Sequence, residues 1–359
     1  MTLFTVGPVE MSPAVRETGS IALPYFRTAG FSRLMLALEE ELLGLFGAPG
    51  GSRALLMSGS GTAAMEAAVA GLFDPASDRL LIVNGGSFGQ RFVEIAARHR
   101  IPHRVLTVPF EADLTAGLFA DFTDYSPTGL LINQGETSIG KLYDLGIAAD
   151  FCRSTGALLV VDAVSSFLND RLDMEAQGVD CALTASQKAL ALPPGLAPLV
   201  LGPRALAKLE ATPQPLYYLD LSAALRNQKR GQTPWTPALA IIYQLETRLA
   251  DIRAGGGLAA ELGRRAELAA WFRTELGRRL PGLRVPAYLK SNGLTPVLTE
   301  PYDARALFES LEEKGLIITP SGGERTHTLT RIGHMGHLSQ AQYEPLLDAI
   351  VSWTEKEKR

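Results

Sequence analysis

Cysteine is almost absent: Cys152 and Cys181 are the only two in 359 residues, far apart and outside any CxxC spacing. That excludes a disulfide framework and a cysteine-based metal site, and it suits a reducing compartment. Lysine is scarce too, with eight against twenty-six arginines and none before Lys141. No basic run exceeds a pair such as Lys229–Arg230, and the formal charge is -4, so no electrostatic footprint for nucleic acid or an anionic membrane exists. The uncharged stretch Ala189–Gly202 holds Pro193, Pro194 and Pro198 and is too short to span a bilayer. The opening MTLFTVGPVEM has no basic residue before Arg16 and places Glu10 where a signal peptide is apolar, so a cytoplasmic location is expected. Internal repeats and low-complexity tracts are lacking, which removes solenoids and disordered arrays.

What is present is an ordinary globular composition, 46% hydrophobic and 20% charged, in a chain long enough for about two domains. Short apolar runs at Ala54–Met57, Leu80–Val83, Gly129–Ile132, Ala157–Val161, Cys181–Thr184 and Pro198–Leu201 read as buried strands. Helical patterns lie between them at Thr62–Leu72, Phe88–His99, Leu145–Ser154 and Arg204–Leu209. Strand then helix, repeated, predicts an α/β fold with a mostly parallel sheet covered on both faces. After the segment Asn227–Pro237 and the triple glycine Gly255–Gly257 the pattern changes. A helix from Leu258 to about Arg279, strands at Gly293–Leu298 and Leu316–Thr319, and a final helix capped by Ser339 predict a smaller α+β domain. The expected division is an N-terminal segment 1–20, a large domain 21–255 and a small domain 256–359.

Ligands of open parallel sheets sit beyond the carboxyl ends of the strands, so the residues there carry the functional reading. Ser58–Thr62 (SGSGT) joins a strand to a helix and reads either as a tight turn or as a phosphate cradle at a helix N-terminus, with Ser60, Gly61 and Thr62 innermost. It has neither the lysine of a Walker loop nor the GxGxxG spacing. Phe88 in NGGSFGQRF reads as a core aromatic or as a ring that stacks on a planar cofactor. Asn133–Gly140 (NQGETSIG) is a polar loop at an apolar strand end. Asp162 in LLVVDAVSSF is a helix N-cap or the partner of a buried cation. Lys188, among Ala, Ser, Leu and Pro, snorkels or is a desolvated nucleophile. Cradle, ring, acid and lysine, in that order, are the parts that hold pyridoxal phosphate: the lysine forms a Schiff base and the acid keeps the pyridine nitrogen protonated.

On the motifs GPVEMSPAV, SGSGTAAMEA, NGGSFGQR, GETSIG, VDAVSSF, ASQKALALPPG, TPWTPA and RIGHMG, the sequence resembles the class V aminotransferases of PLP fold type I. The likeness is greatest to the alanine/serine–glyoxylate and 2-aminoethylphosphonate–pyruvate branches. The resemblance implies that Lys188 carries the cofactor, Asp162 pairs with its ring nitrogen, Phe88 stacks on it, and Ser60, Gly61, Thr62 and Gln187 hold its phosphate. It further implies that Thr137 reaches the phenolic oxygen, that Thr236 completes the phosphate site of a neighbouring subunit in a homodimer, and that Arg331 clamps the substrate carboxylate. Arg331 read from the sequence alone is a surface ion-pair partner. Gln134 and Gly30 depart from the family pattern and bear on substrate class, and Arg27 beside them either reads a substrate acid or pins its segment.

His327, His334 and His337 share one short segment with no acidic ligand beside them, so they are assigned to the site mouth or solvent and no metal is expected. The expected activity is transfer of an amino group from alanine, serine or an aminophosphonate to pyruvate or glyoxylate. A PLP lyase, a non-catalytic ligand-binding homologue and, remotely, an NAD oxidoreductase are the competing readings. A cysteine desulfurase is disfavoured because both cysteines precede residue 182.

Overall fold

The structure is a computed structural model that describes residues 1–357. A seven-stranded sheet forms its centre. In chain order its strands are β1 (Arg53–Ser58), β2 (Leu80–Asn84), β3 (His103–Thr107), β4 (Gly129–Asn133), β5 (Leu158–Asp162), β6 (Cys181–Leu183) and β7 (Leu196–Leu201). Their spatial order is β1-β7-β6-β5-β4-β2-β3, and only β7 runs against its neighbours. All six strands expected from apolar runs are therefore present and share one sheet.

Both faces are buried, which is why the strands read as continuous apolar runs rather than as alternation. Leu81, Val83, Leu130, Ile132, Leu159 and Val161 point to one face. There they meet the helices Ala29–Leu45, Leu145–Thr155 and Leu239–Ala254. Leu80, Ile82, Leu131, Leu158 and Val160 point to the other, beneath the helices Gly61–Leu72, Ser87–Arg98 and Pro203–Ala211.

Helix Ala29–Leu45 is not among the sequence expectations, although its signal is there: Thr28 caps the N–H of Phe31 at 3.2 Å, and Phe31, Met35, Leu38 and Leu42 recur at helical spacing and are all buried. Strand β3 is also absent from them, because His103 and Arg104 break its apolar run at the sheet edge.

A three-stranded antiparallel sheet, Leu294–Leu298, Leu329–Gly333 and Thr319–Pro320, packs with the helices Gly257–Arg279, Ala304–Glu312 and Gln340–Glu357 around Phe272, Ile332, Tyr343 and Leu346. The chain start joins this part: Thr2–Leu3 pairs in parallel with Leu316–Ile317, and Phe4 is buried in the same core. The cap of the last helix works in reverse of expectation. Gln342 accepts the Ser339 N–H at 2.8 Å, so the side chain from within the helix reaches back. Among the described residues no helix is long and apolar enough to cross a membrane.

Candidate active site

The strand order reverses between β2 and β4, whose chain continuations leave toward opposite edges, and this is where an open α/β sheet forms its ligand crevice. The segments that follow β2 and β4 bring together Gly86, Phe88 and the loop Gln134–Ser138. Strands β5 and β6 end at the same rim and deliver Asp162 and, five residues past β6, Lys188.

Lys188 is 7% exposed, and its Nζ donates to the carbonyl of Val6. Burial pulls the amine down to about 8, the nearby Arg331 guanidinium pushes the same way, and Asp162 opposes them. Gly7 closes this contact: its φ of +117° suits glycine, and a Cβ there would stand 2.6 Å from Lys188 Cδ. The N-terminal segment is thus a wall of the site, a role the sequence reading did not give Val6 or Gly7.

Asp162 is 3% exposed, and its Oδ1 accepts the Val164 N–H at 2.8 Å. It is therefore a turn cap, yet it also faces cations, since Arg91 and Lys188 act on it. Desolvation dominates and raises its carboxyl to about 6.

Phe88 is the second residue of helix Ser87–Arg98, half-buried, with the Arg91 guanidinium 4.8 Å from its ring centroid. Arg91 also donates to Thr62 Oγ1 at 3.1 Å, tying the helix after β2 to the helix after β1. At that first helix Ser60 is exposed and makes no side-chain cap bond, and the N–H groups of Gly61 and Thr62 have no partner among the described residues. Gln187 presents a buried Oε1 that lacks a partner there too.

Thr137 is buried, and its carbonyl accepts from Arg331 Nη1 at 3.0 Å, while Nη2 donates to the Pro320 carbonyl at 2.6 Å. Arg331 Nε is buried without a partner among the described residues, and burial lowers this guanidinium to about 10. The residue is thus not the surface ion-pair partner that its sequence context allowed.

Glu136 escaped the sequence reading. It is fully buried, and its carboxylate accepts the N–H groups of Phe88 at 3.2 Å and Gly89 at 3.0 Å, together with Asn133 Nδ2 at 3.0 Å. A carboxylate on the first turn of a helix meets the orphan donors and the positive end of the dipole, so Glu136 fixes the helix that carries Phe88.

Thr236 and Arg27 lie on loops that touch each other, and Ala238, two residues after Thr236, donates to Ser58 Oγ at 3.0 Å at the start of the SGSGT turn. Thr236 is exposed on the loop before helix Leu239–Ala254. Arg27 donates to Gln232 Oε1 at 3.1 Å and to the Thr233 carbonyl at 2.7 Å, which ties its segment to the loop that carries Thr236. The histidines separate. His327 and His337 are exposed, but His334 is wholly buried, bonded to Thr295 Oγ1 at 2.7 Å and packed on Phe272, which corrects its assignment to the mouth or solvent. A second buried lysine, Lys141, is also pulled down to about 8, but its Nζ is held by the carbonyls of Pro109 at 2.8 Å and Ala112 at 2.5 Å.

A buried amine, a buried acid and a half-buried arginine at the crevice of a doubly covered sheet are the equipment of an enzyme that handles amino and oxo acids. The class-V aminotransferase family model matches residues 27–340, and the chain belongs to that family. It is accordingly a transaminase of the pyridoxal-phosphate fold type I class.

Its relatives include the soluble hydrogenase 42 kDa subunit of Anabaena cylindrica, 28% identical over 91% of this chain and 85% of that one. A 2-aminoethylphosphonate–pyruvate transaminase of Paraburkholderia phymatum is 28% identical over 97% of this chain and 95% of its own length. The solved structure of a subgroup IV aspartate aminotransferase from Thermus thermophilus superposes with a TM-score of 0.90 at 29% identity, covering 99% of each chain.

Proposed function

We propose that the protein binds pyridoxal 5'-phosphate on Lys188 and moves an amino group from a small amino donor to a small 2-oxo acid such as pyruvate or glyoxylate. Alanine, serine or an aminophosphonate is the donor class. The observation that carries this reading is the pairing, in one buried site, of an amine pulled down to about 8 with a carboxyl raised to about 6.

The residues present fit the cofactor. Asp162 is a desolvated acid in want of a cation, which a protonated ring nitrogen supplies. The free N–H groups of Gly61 and Thr62 at a helix N-terminus, next to Ser60, suit a phosphate, and the Gln187 amide N–H₂ is assigned to the same group. Phe88 would stack on the cofactor ring and Thr137 would reach its phenolic oxygen. Bound there, the cofactor supplies the electron sink that lets an α-proton leave.

The chain's own residues do the rest. Once the donor amine has displaced it from the cofactor, the Lys188 amine, its proton affinity lowered by burial, would be the base that takes the proton from the substrate α-carbon. The unpartnered Arg331 Nε offers a donor to the substrate carboxylate. In the proposed homodimer the exposed Thr236 of each copy completes the other's phosphate site. The proposed division is an N-terminal segment 1–20, a large domain 21–255 and a small domain 256–359, in a cytoplasmic protein. The relatives' names, aspartate in one and an aminophosphonate with pyruvate in another, support a small acidic donor within the class.

The test is a pair of half-reactions. Purified holoenzyme is mixed with one amine at a time and its visible band followed. Bleaching by an amino donor, restored by an oxo acid with no other addition, is the expected result. A band that no amine bleaches overturns the reading.

A further inference from the structure

Arg331 opens on a cavity of about 400 Å³ that Phe88, Ser138 and Ser321 also line, and a second arginine, Arg325, stands in the same wall. The exposed Glu324 is the acid in that wall, and the buried carboxylate of Glu136, tied up by backbone N–H groups, acts on Arg331 from behind it. Arg331 is anchored by two carbonyls, as above, whereas the Arg325 side chain makes no hydrogen bond and no ion pair among the described residues.

Arg325 is nevertheless positioned. Its guanidinium carbon stands over the Phe110 ring, 3.5 Å from the centroid, and its N–H groups have no hydrogen-bond partner among the described residues. Phe110 packs edge-on against Tyr288 at 5.7 Å, and Lys141 Nζ sits 4.8 Å from the Tyr288 centroid. The same Nζ holds the carbonyls of Pro109 and Ala112, which bracket Phe110 in sequence. Buried Lys141, to which the transaminase chemistry gives no task, thus fixes the platform under Arg325. Ordering an arginine on an aromatic face with its donors unused is a costly arrangement on a surface and a useful one in a binding pocket.

We propose that the pocket takes amino and oxo acids bearing a second anionic group, a carboxylate or a phosphonate, with Arg331 on the α-carboxylate and Arg325 on the distal anion. The inference rests on the reading of Arg331 as the carboxylate clamp.

The experiment uses holoenzyme and the variants R325Q and R325K. The first readout is kcat/KM for bleaching of the visible band by aspartate, glutamate, 3-phosphonoalanine and alanine. The second is calorimetric binding of the unreactive acids succinate and propionate. A charge-assisted hydrogen bond contributes about 1.5–3 kcal/mol, so the acidic donors should exceed alanine by roughly 10- to 100-fold, and R325Q should collapse that ratio. R325K should retain part of it, and succinate should outbind propionate by a similar factor only when residue 325 is cationic. Whether aspartate or 3-phosphonoalanine leads tells which anion the pocket prefers. Equal use of aspartate and alanine, or a ratio untouched by R325Q, overturns the inference and leaves the transaminase reading intact. Failure of every donor to bleach the band counts against that reading instead, and equal binding of succinate and propionate then overturns the second-anion pocket on its own.

Discussion

At the residue scale, the acid of the site is held in a state that folding alone would not choose. Asp162 is fully buried with one hydrogen bond to its charged form, and its carboxyl rises from 3.8 to about 6. Asp170, also buried, rises to about 6. Between pH 3.8 and 6 such groups bind more protons in the folded than in the unfolded chain, so stability of the cofactor-free protein falls as pH rises through that window. Lys188 and Lys141 act at the other end: their amines fall from 10.5 to about 8, the unfolded chain binds more protons between those values, and stability rises with pH there. The neutral substitution Asp162→Asn keeps the acceptor for Val164 and removes a buried charge. It should stabilise the cofactor-free protein at pH 7 by about 3 kcal/mol, since each tenfold gain in a group's proton affinity on folding corresponds to ~1.4 kcal/mol, while amino transfer is lost. Urea unfolding of the two proteins at pH 7 checks this, and equal midpoints would mean that Asp162 is better solvated than its burial implies.

At the scale of elements, the geometry is set by how helix starts are held. Helix Ser87–Arg98 begins on Gly86, which has no side chain to cap it, and Glu136 from the neighbouring loop takes that task. Glu136→Gln places an amide N–H₂ among donors. The expected cost is roughly 2–3 kcal/mol of stability, with weaker cofactor retention because Phe88 moves with its helix. Thermal unfolding with and without added cofactor checks both effects, and a variant with unaltered cofactor retention would show that the helix start is held by other contacts.

Legibility in the sequence follows the same division. The buried strands and the residues at their ends are readable because a strand covered on both faces must be apolar along its length, so a polar residue at its tip, such as Asp162, stands out, while Lys188, five residues past its strand, stands out as a lysine among Ala, Leu and Pro. Glu136 was not readable, since a polar residue in a polar loop carries no contrast, and its partners, Phe88 and Gly89, are remote in sequence. Val6 and Gly7 were hidden for the same reason, their contact with Lys188 spanning more than 180 residues. Lys141 shows the converse, a buried lysine with a structural task that composition alone does not separate from Lys188.

At the scale of the whole molecule, the exposed Thr236 makes the dimer testable without measuring mass. Thr236 is exposed, on a loop tied to the Ser58–Thr62 turn of its own chain by the Ala238 N–H, which donates to Ser58 Oγ at 3.0 Å, so Thr236→Ala reports on a shared site only when its effect on cofactor binding depends on protein concentration. A several-fold rise in the pyridoxal phosphate dissociation constant is expected, read by fluorescence titration of the cofactor-free protein at several protein concentrations. An unchanged constant would remove Thr236 from the site and with it the argument for shared sites.

Which lysine carries the cofactor decides where the site lies, because burial pulls two lysines, Lys188 and Lys141, down to about 8. Borohydride reduction of the holoenzyme followed by peptide mapping decides it. The label should fall on the peptide that contains Lys188, whose amine shares its site with Asp162 and is held by a single carbonyl. Label on Lys141, or protein that reduces without labelling any lysine, would contradict the assignment of the site.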